Sequence, residues 1–158
     1  MDARYVAGAA GVGINTLNTW IARGYVPGMA LGSRGLRRDF DFEMLAHVLI
    51  VTQLVRLGFD ASFASAIAER RGKSTKRLLL TERNDQAEPN SEGKIVLQRG
   101  APVVAGVREF NSEKDLPKVL AEIGHPGAYL VVDIDALTAK ARQASKQWER
   151  QQVKAPAA

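Results

Sequence analysis

The chain contains no cysteine, and this absence removes several kinds of site at once. Without thiols there is no disulfide framework and no metal site built from thiolate ligands. The two histidines, His47 and His125, stand alone, without the paired spacing of a metal site or an acid–base partner. The sequence therefore predicts no metal and no other cofactor.

Long apolar runs are also missing. No stretch approaches the roughly 20 apolar residues that span a bilayer. The first residues, Met1 to Arg4, lack the apolar core of a signal peptide. We expect a cytoplasmic protein with no membrane partner.

No catalytic constellation is visible either. Gly8, Gly11 and Gly13 form a cluster, but no apolar strand precedes them, so tight packing explains them better than a nucleotide loop. Asp133 and Asp135 follow a predicted strand, where capping of the next helix is favoured over cation or phosphoryl binding. We predict that the protein is not an enzyme.

The positive charge is concentrated in the first half of the sequence. Residues 1–77 contain 11 Lys and Arg against 6 Asp and Glu, whereas residues 78–158 contain 11 of each, so the first half carries the entire net charge of +5. Such a field favours phosphate binding, although a merely soluble basic domain is the alternative. With 158 residues and 46% hydrophobic content, the chain is expected to bury a core and to add a second small module.

Residues 10–27 have the pattern of a helix-turn-helix, in which the second helix enters a DNA groove. Ile14, Leu17 and Ile21 recur at i, i+3 and i+7 and are predicted to face inward. Gly24 and the following Pro27 are predicted to end the helix. The outward face is predicted to carry Asn15, Thr16, Asn18, Thr19 and Arg23. An ordinary amphipathic helix with a solvated polar face is the alternative.

The segment from residue 29 to residue 40 reads as two short strands around a Gly/Ser turn, and it carries three arginines. A basic hairpin after a recognition helix is a wing. Asp41 is a predicted N-cap for an apolar helix from Phe42 to Leu57 that Gly58 closes, and Asp60 is predicted to cap another helix running to about residue 71.

Residues 3–71 resemble the winged DNA-binding domain of MerR-type transcription regulators. Three correctly spaced blocks carry the resemblance: residues 10–27, 38–41 and 54–60. It implies that the recognition helix and the wing touch duplex DNA, and that an Arg-x-Tyr pair in the wing contacts phosphate, a role that falls here on Arg38 and Phe40. The predicted DNA contacts are Gly13, Asn15, Thr16, Asn18, Thr19, Arg23, Arg34, Arg37, Arg38 and Phe40.

The chain departs from the family pattern at two of these positions. Asn18 stands where the family usually has arginine, and Phe40 has no hydroxyl to donate to a phosphate. Arg34 and Arg37 are nearby replacements for the lost backbone contact, and the Asn18 amide either reads an adenine edge or has no base-reading role. Because cysteine is absent, the cysteine-based metal sensing of many members of this family is not available here.

After Gly72 the pattern leaves the family, whose long dimerisation helix is missing. Strands are predicted at Arg77 to Thr81, Lys94 to Gln98 and Ala128 to Val132, with extended chain over residues 102–110 and a helix capped by Ser112. The predicted fold class is therefore α+β: a winged helix-turn-helix domain (1–72), then a small α/β module (73–152) ending in a helix, and a disordered tail (153–158).

The last predicted helix, from Asp135 to Gln152, offers a substitute for dimerisation. One face of this helix carries residues that follow one another at intervals of 3, 4, 3 and 4 positions, as in a coiled-coil seam. This stripe consists of Ile134, Leu137, Ala141, Ala144 and Trp148. Packing of this stripe on the chain's own sheet is the alternative. The helix from Phe42 to Leu57 also has a wider apolar face than packing on one core requires. Either another module or a second subunit covers this face, or the core is locally thick. The predicted dimerisation residues are Leu137, Ala141, Ala144 and Trp148.

Together these patterns favour a sequence-specific transcription regulator that binds double-stranded DNA as a homodimer. Its C-terminal module would supply dimerisation, binding of a small effector or contact with RNA polymerase. An excisionase-like or architectural DNA-binding factor, which bends DNA at clustered repeats, is the alternative from another class. A third reading, a protein-interaction scaffold, predicts no salt-dependent affinity for DNA.

Overall fold

The computed structural model describes residues 1–28, 39–70, 76–81, 106–122 and 129–154. It has an α+β fold that combines helices with a small antiparallel sheet. The elements are α1 (Ala3–Ala10), α2 (Ile14–Ala22), α3 (Phe42–Arg56), α4 (Ala61–Arg70), β1 (Arg77–Thr81), β2 (Gly106–Phe110), a 3-10 turn (Glu113–Asp115), α5 (Leu116–Glu122), β3 (Tyr129–Asp133) and α6 (Ile134–Lys154).

The chain divides into two compact units. The helical unit comprises Met1–Arg70 together with Ala136–Ala158, and the α/β unit comprises Arg71–Asp135. This division differs from the domains expected from the sequence, 1–72 and 73–152, because nearly all of the last helix groups with the N-terminal helices. The helical unit is therefore discontinuous in sequence.

Local capping explains where the N-terminal helices begin and end. The Asp2 and Asp41 carboxylates accept hydrogen bonds from the backbone N–H groups of Tyr5 and Met44, at 2.9 and 2.8 Å, and so cap α1 and α3. Gly58, at φ 94°, closes α3 in the left-handed conformation that glycine tolerates best. Asp60 precedes α4, and hydrogen bonds from the Ser62 hydroxyl and backbone N–H lower the pKa of this carboxyl. The predicted caps Asp41, Gly58 and Asp60 are confirmed.

The core of the helical unit is built around α3. Its residues from Leu45 to Thr52 are all buried, and the helix packs against α1 and α4. The Arg142 guanidinium of α6 lies 6.0 Å from the centre of the Phe42 ring at the start of α3. Because this burial exists within a single chain, the wide apolar face of α3 requires no second subunit to cover it.

The α/β unit contains a three-stranded antiparallel sheet in the order β2-β1-β3. Leu79 in the central strand lies opposite Arg108 on one side and Val131 on the other. Leu79 and Phe110 form a small core, against which three side chains of the α5 helix pack: Leu116, Val119 and Leu120. A capping box at Ser112 and Asp115 starts the 3-10 turn that leads into α5.

Three predicted elements of this unit are confirmed: the strand from Arg77 to Thr81, the capped helix after Ser112 and a strand near residues 128–132, which runs from Tyr129 to Asp133. The extended stretch predicted over residues 102–110 is a strand in its described part, Gly106–Phe110. The predicted strand from Lys94 to Gln98 lies outside the described residues.

The last helix is longer than predicted. It includes Val153 and Lys154, so the expectation of a disordered tail from residue 153 is wrong at these two positions, and residues 155–158 lie outside the described part. In the ranges that the structure describes, no helix is both long and apolar enough to cross a membrane.

Candidate nucleic-acid interface

The turn between α1 and α2 is fixed by a glycine and an arginine. Gly11 ends α1 in the left-handed conformation, at φ 69°, and the Val12 N–H bonds back to the Ala7 carbonyl at 3.0 Å. The Arg56 guanidinium, from the end of α3, donates to the carbonyls of Ala10 and Gly11 at 3.3 and 2.9 Å. A cation there satisfies carbonyls that the helix end leaves unpaired, and it opposes the negative end of the helix dipole.

The inward face of α2 is Leu17, Trp20 and Ile21, which are 0%, 6% and 1% exposed. The prediction that Ile14 faces inward is wrong, since this side chain is 37% exposed. Ile14 is the first residue of the helix and lies beyond the edge of the core. Trp20 occupies the buried stripe instead, three residues after Leu17, a spacing that keeps both on one helix face.

The predicted recognition residues share one property, exposure to solvent, and they all lie on or next to α2. The Thr19 hydroxyl donates to the Asn15 carbonyl at 2.9 Å, so towards any other group this oxygen acts as an acceptor. Gly13 is the N-cap and offers no side chain to the first backbone N–H groups of α2. The exposed set is Gly13, Asn15, Thr16, Asn18, Thr19 and Arg23.

The carbonyl of Tyr25 anchors the segment that follows α2. It lies 2.8 Å from the His47 Nε2 of α3 and accepts a hydrogen bond from the Ser65 hydroxyl of α4 at 3.0 Å. Because a carbonyl only accepts, the Nε2 of His47 is the protonated ring nitrogen in this contact. Sequence reasoning left His47 without a role, whereas its 4% exposure and this contact make it structural.

The structure contradicts the role predicted for Phe40. Phe40 is 3% exposed. Its backbone N–H donates to the Met1 carbonyl, and its carbonyl accepts a hydrogen bond from the Met1 α-ammonium, both at 2.7 Å. A buried ring without a hydroxyl makes no contact with a phosphate, because burial removes it from the surface on which DNA would lie. The predicted wing residues Arg34, Arg37 and Arg38 lie outside the described residues.

Two residues of the stripe predicted as a dimer seam, Ala144 and Trp148, contact α1 of the same chain. Ala141 and Ala144 are 0% and 9% exposed, and the Tyr5 hydroxyl donates to the Ala144 carbonyl at 2.6 Å. The Tyr5 and Trp148 rings lie 4.8 Å apart between centres, and Leu137 is half-buried. Burial raises the pKa of the Tyr5 phenol, which favours the protonated form that donates this bond. At Ala144 and Trp148, the stripe thus packs on a helix of its own chain.

The division into units also relocates the positive charge. Residues 136–158 carry five Lys and Arg against one Glu, a net +4, while residues 1–70 carry seven against six, a net +1. Residues 71–135 carry ten of each and are neutral. The helical unit therefore holds the whole charge of +5, and most of it comes from residues 136–158 rather than from the predicted winged domain.

No family model matches this chain, and a search of the curated proteins finds no match either.

Proposed function

We propose that the protein is a sequence-specific DNA-binding regulator of the MerR-like winged-helix type, with α2 as its recognition helix. The observation that carries the proposal is the division of α2 into a buried face, Leu17, Trp20 and Ile21, and a face of exposed polar residues. The Arg56 contacts fix the turn before this helix, and the contacts of the Tyr25 carbonyl fix the segment after it. A rigid helix with a polar outer face suits entry into the major groove.

The exposed side chains suit the two kinds of contact that such a helix makes. The Asn15 and Asn18 amides each carry a donor and an acceptor, the pair of groups with which asparagine reads an adenine edge. Arg23, at the end of α2, suits a backbone phosphate, as do the first N–H groups of the helix beyond Gly13. We propose base reading by the amides and backbone binding by Arg23, together with Arg34, Arg37 and Arg38 of the wing predicted from the sequence.

Assembly as a homodimer remains part of this proposal, with the α/β unit as the source of dimerisation, effector binding or contact with RNA polymerase. One observation favours a second candidate function. Because Ala144 and Trp148 contact Tyr5 of α1 within the chain and Ala141 is fully buried, these positions of the seam expected for a dimer are already covered. A monomer that binds repeated sites, as an excisionase-like or architectural factor does, requires no such seam.

The test of DNA recognition starts with selection of bound duplexes from a random library, followed by affinity measurements on the selected site and on random DNA. Asn18→Ala is expected to cost about 1–3 kcal/mol on the selected site and little on random DNA, because base contacts carry the sequence preference. Gln151→Ala, an exposed amide on α6, is the matched control and is expected to change neither affinity.

Two results would contradict the proposal. Equal losses on both DNAs would remove Asn18 from base reading. If the wild-type protein enriches no sequence and shows no salt-dependent affinity for duplex DNA, the regulator proposal fails and a protein-interaction scaffold is favoured instead.

A further inference from the structure

A cleft of about 520 Å³ lies within the helical unit, between one face of α1 and one face of α6. This volume lies within the range of roughly 300–1,000 Å³ typical of binding sites. Gly8, Ala9 and Ala144 contribute only small groups to its lining. A Cβ atom added at Gly8 would meet nothing within 4 Å, so the space beside α1 is open there.

The cleft carries hydrogen-bond donors and positive charge. Arg4 from α1 and Lys140 from α6 line it, together with the amides of Gln143 and Gln147, and all four residues are exposed. None of the described residues that line it is acidic. Arginine and lysine only donate hydrogen bonds, and a glutamine amide donates as well as accepts, so this lining is complementary to an anion.

The arrangement of the donors fits an extended anion. Lys140, Gln143 and Gln147 follow one face of α6 at i, i+3 and i+7, which spreads them over roughly 10 Å along the helix. Arg, Lys and Gln are among the side chains that contact phosphates of a DNA backbone. Residues 136–158 also supply a net +4, the charge that attracts a polyanion over a longer range.

We propose that this cleft is a second phosphate-binding surface, which holds a stretch of the DNA backbone between Arg4 and Lys140. The inference rests on the proposed function, since it adds a backbone contact to a DNA-binding unit. It also gives α6 a role in that unit: the helix contacts α1 through Ala144 and Trp148 and presents Lys140 beside these contacts.

The experiment compares two double variants in a salt titration of affinity for random duplex DNA. Arg4→Gln/Lys140→Gln removes both cleft cations and is expected to reduce the slope of log K against log salt by about 1.8, since each phosphate contact contributes about 0.9. Lys146→Gln/Arg150→Gln removes the same charge from exposed positions on α6 that do not line the cleft. This control is expected to change the slope by less than half as much.

Circular dichroism shows whether each variant keeps its helices, which is expected because the four substituted residues are exposed. A separate titration with inorganic tripolyphosphate, followed by calorimetry, asks whether the same site takes a free phosphate. Suppose that the wild type binds tripolyphosphate, that the cleft variant does not, and that the salt slope for DNA is the same in both proteins. This result would assign the cleft to a small phosphate compound and overturn the DNA assignment.

The remaining outcomes separate this inference from the proposed function. If the wild type binds duplex DNA and the cleft variant keeps its slope, or the control loses as much, the cleft inference is overturned while DNA binding stands. If the wild type binds no duplex at all, the proposed function fails, and the cleft inference fails with it.

Discussion

Gly11 and Arg56 act as a pair at the turn that leads into α2. The glycine adopts φ 69°, and an added Cβ atom would lie 2.5 Å from the Arg56 Nη2. That nitrogen is the donor to the Ala10 and Gly11 carbonyls. A side chain at position 11 would therefore cost backbone strain and also displace the guanidinium that holds the turn.

This coupling predicts a non-additive double-mutant cycle. Gly11→Ala is expected to destabilise the protein by about 1–2 kcal/mol through left-handed strain, plus the loss of the Arg56 contacts. Arg56→Ala alone should cost about 1 kcal/mol for hydrogen bonds from a charged, exposed group. Because Gly11→Ala already disrupts those bonds, the double variant should lose less than the sum of the two single losses, as measured by urea unfolding.

The control for this cycle is Arg23→Ala. Arg23 is an exposed arginine at the far end of α2, so its effect should add independently to that of Gly11→Ala. Strict additivity of Gly11→Ala and Arg56→Ala would show that the guanidinium moves aside without losing its carbonyl partners.

Side-chain roles in this region could be predicted from sequence only where the cause is local. Asp41 and Gly58 act through backbone groups a few residues away, and a sequence pattern contains that information. The fate of Phe40 could not be read in this way, because whether an aromatic ring enters the core or faces DNA depends on packing. The sequence identifies Arg56 only as a member of the 54–60 block that resembles the MerR type. Its structural role could not be predicted, because its hydrogen-bond partners lie 45 and 46 residues earlier in the chain.

Among the elements, α6 differs most from its sequence-based interpretation. Its 3-4 spacing correctly predicts a buried stripe, because Ala141 and Ala144 are shielded from solvent. The spacing does not specify which surface covers the stripe, and α1 is 139 residues away along the chain at the Tyr5–Ala144 hydrogen bond. Periodicity identifies a buried face, whereas the identity of its partner is a tertiary property.

Ala141→Glu tests this packing directly. A carboxylate at a position with 0% exposure has no room and no solvent, so we expect a loss of stability greater than about 3 kcal/mol. Ala139→Glu, at an exposed position on the same helix, should change stability by less than about 0.5 kcal/mol. Chemical denaturation followed by circular dichroism measures both. A stable Ala141→Glu variant that merely changes its oligomeric state would mean that this face joins two chains.

For the whole molecule, the question is whether two copies act on one DNA site. The regulator proposal predicts a protected footprint with a single two-fold axis, because paired half-sites supply the specificity that one small winged domain lacks. An architectural factor predicts a phased array of protected sites that grows with protein concentration. Footprinting combined with sedimentation of the protein alone distinguishes the two, and a monomer that protects an array would contradict the regulator.

The contact between α1 and α6 has a consequence for how the chain is made. Synthesis runs from the N-terminus, so α1 leaves the ribosome well before α6, with the whole α/β unit still to follow. During that interval the α1 surface that later meets Ala144 and Trp148 has no partner from α6. Contacts so distant in sequence form slowly and leave apolar surface exposed to aggregation in the meantime. Completion of the helical unit thus awaits translation of α6, and a nascent chain that lacks this helix still exposes the α1 surface that α6 covers.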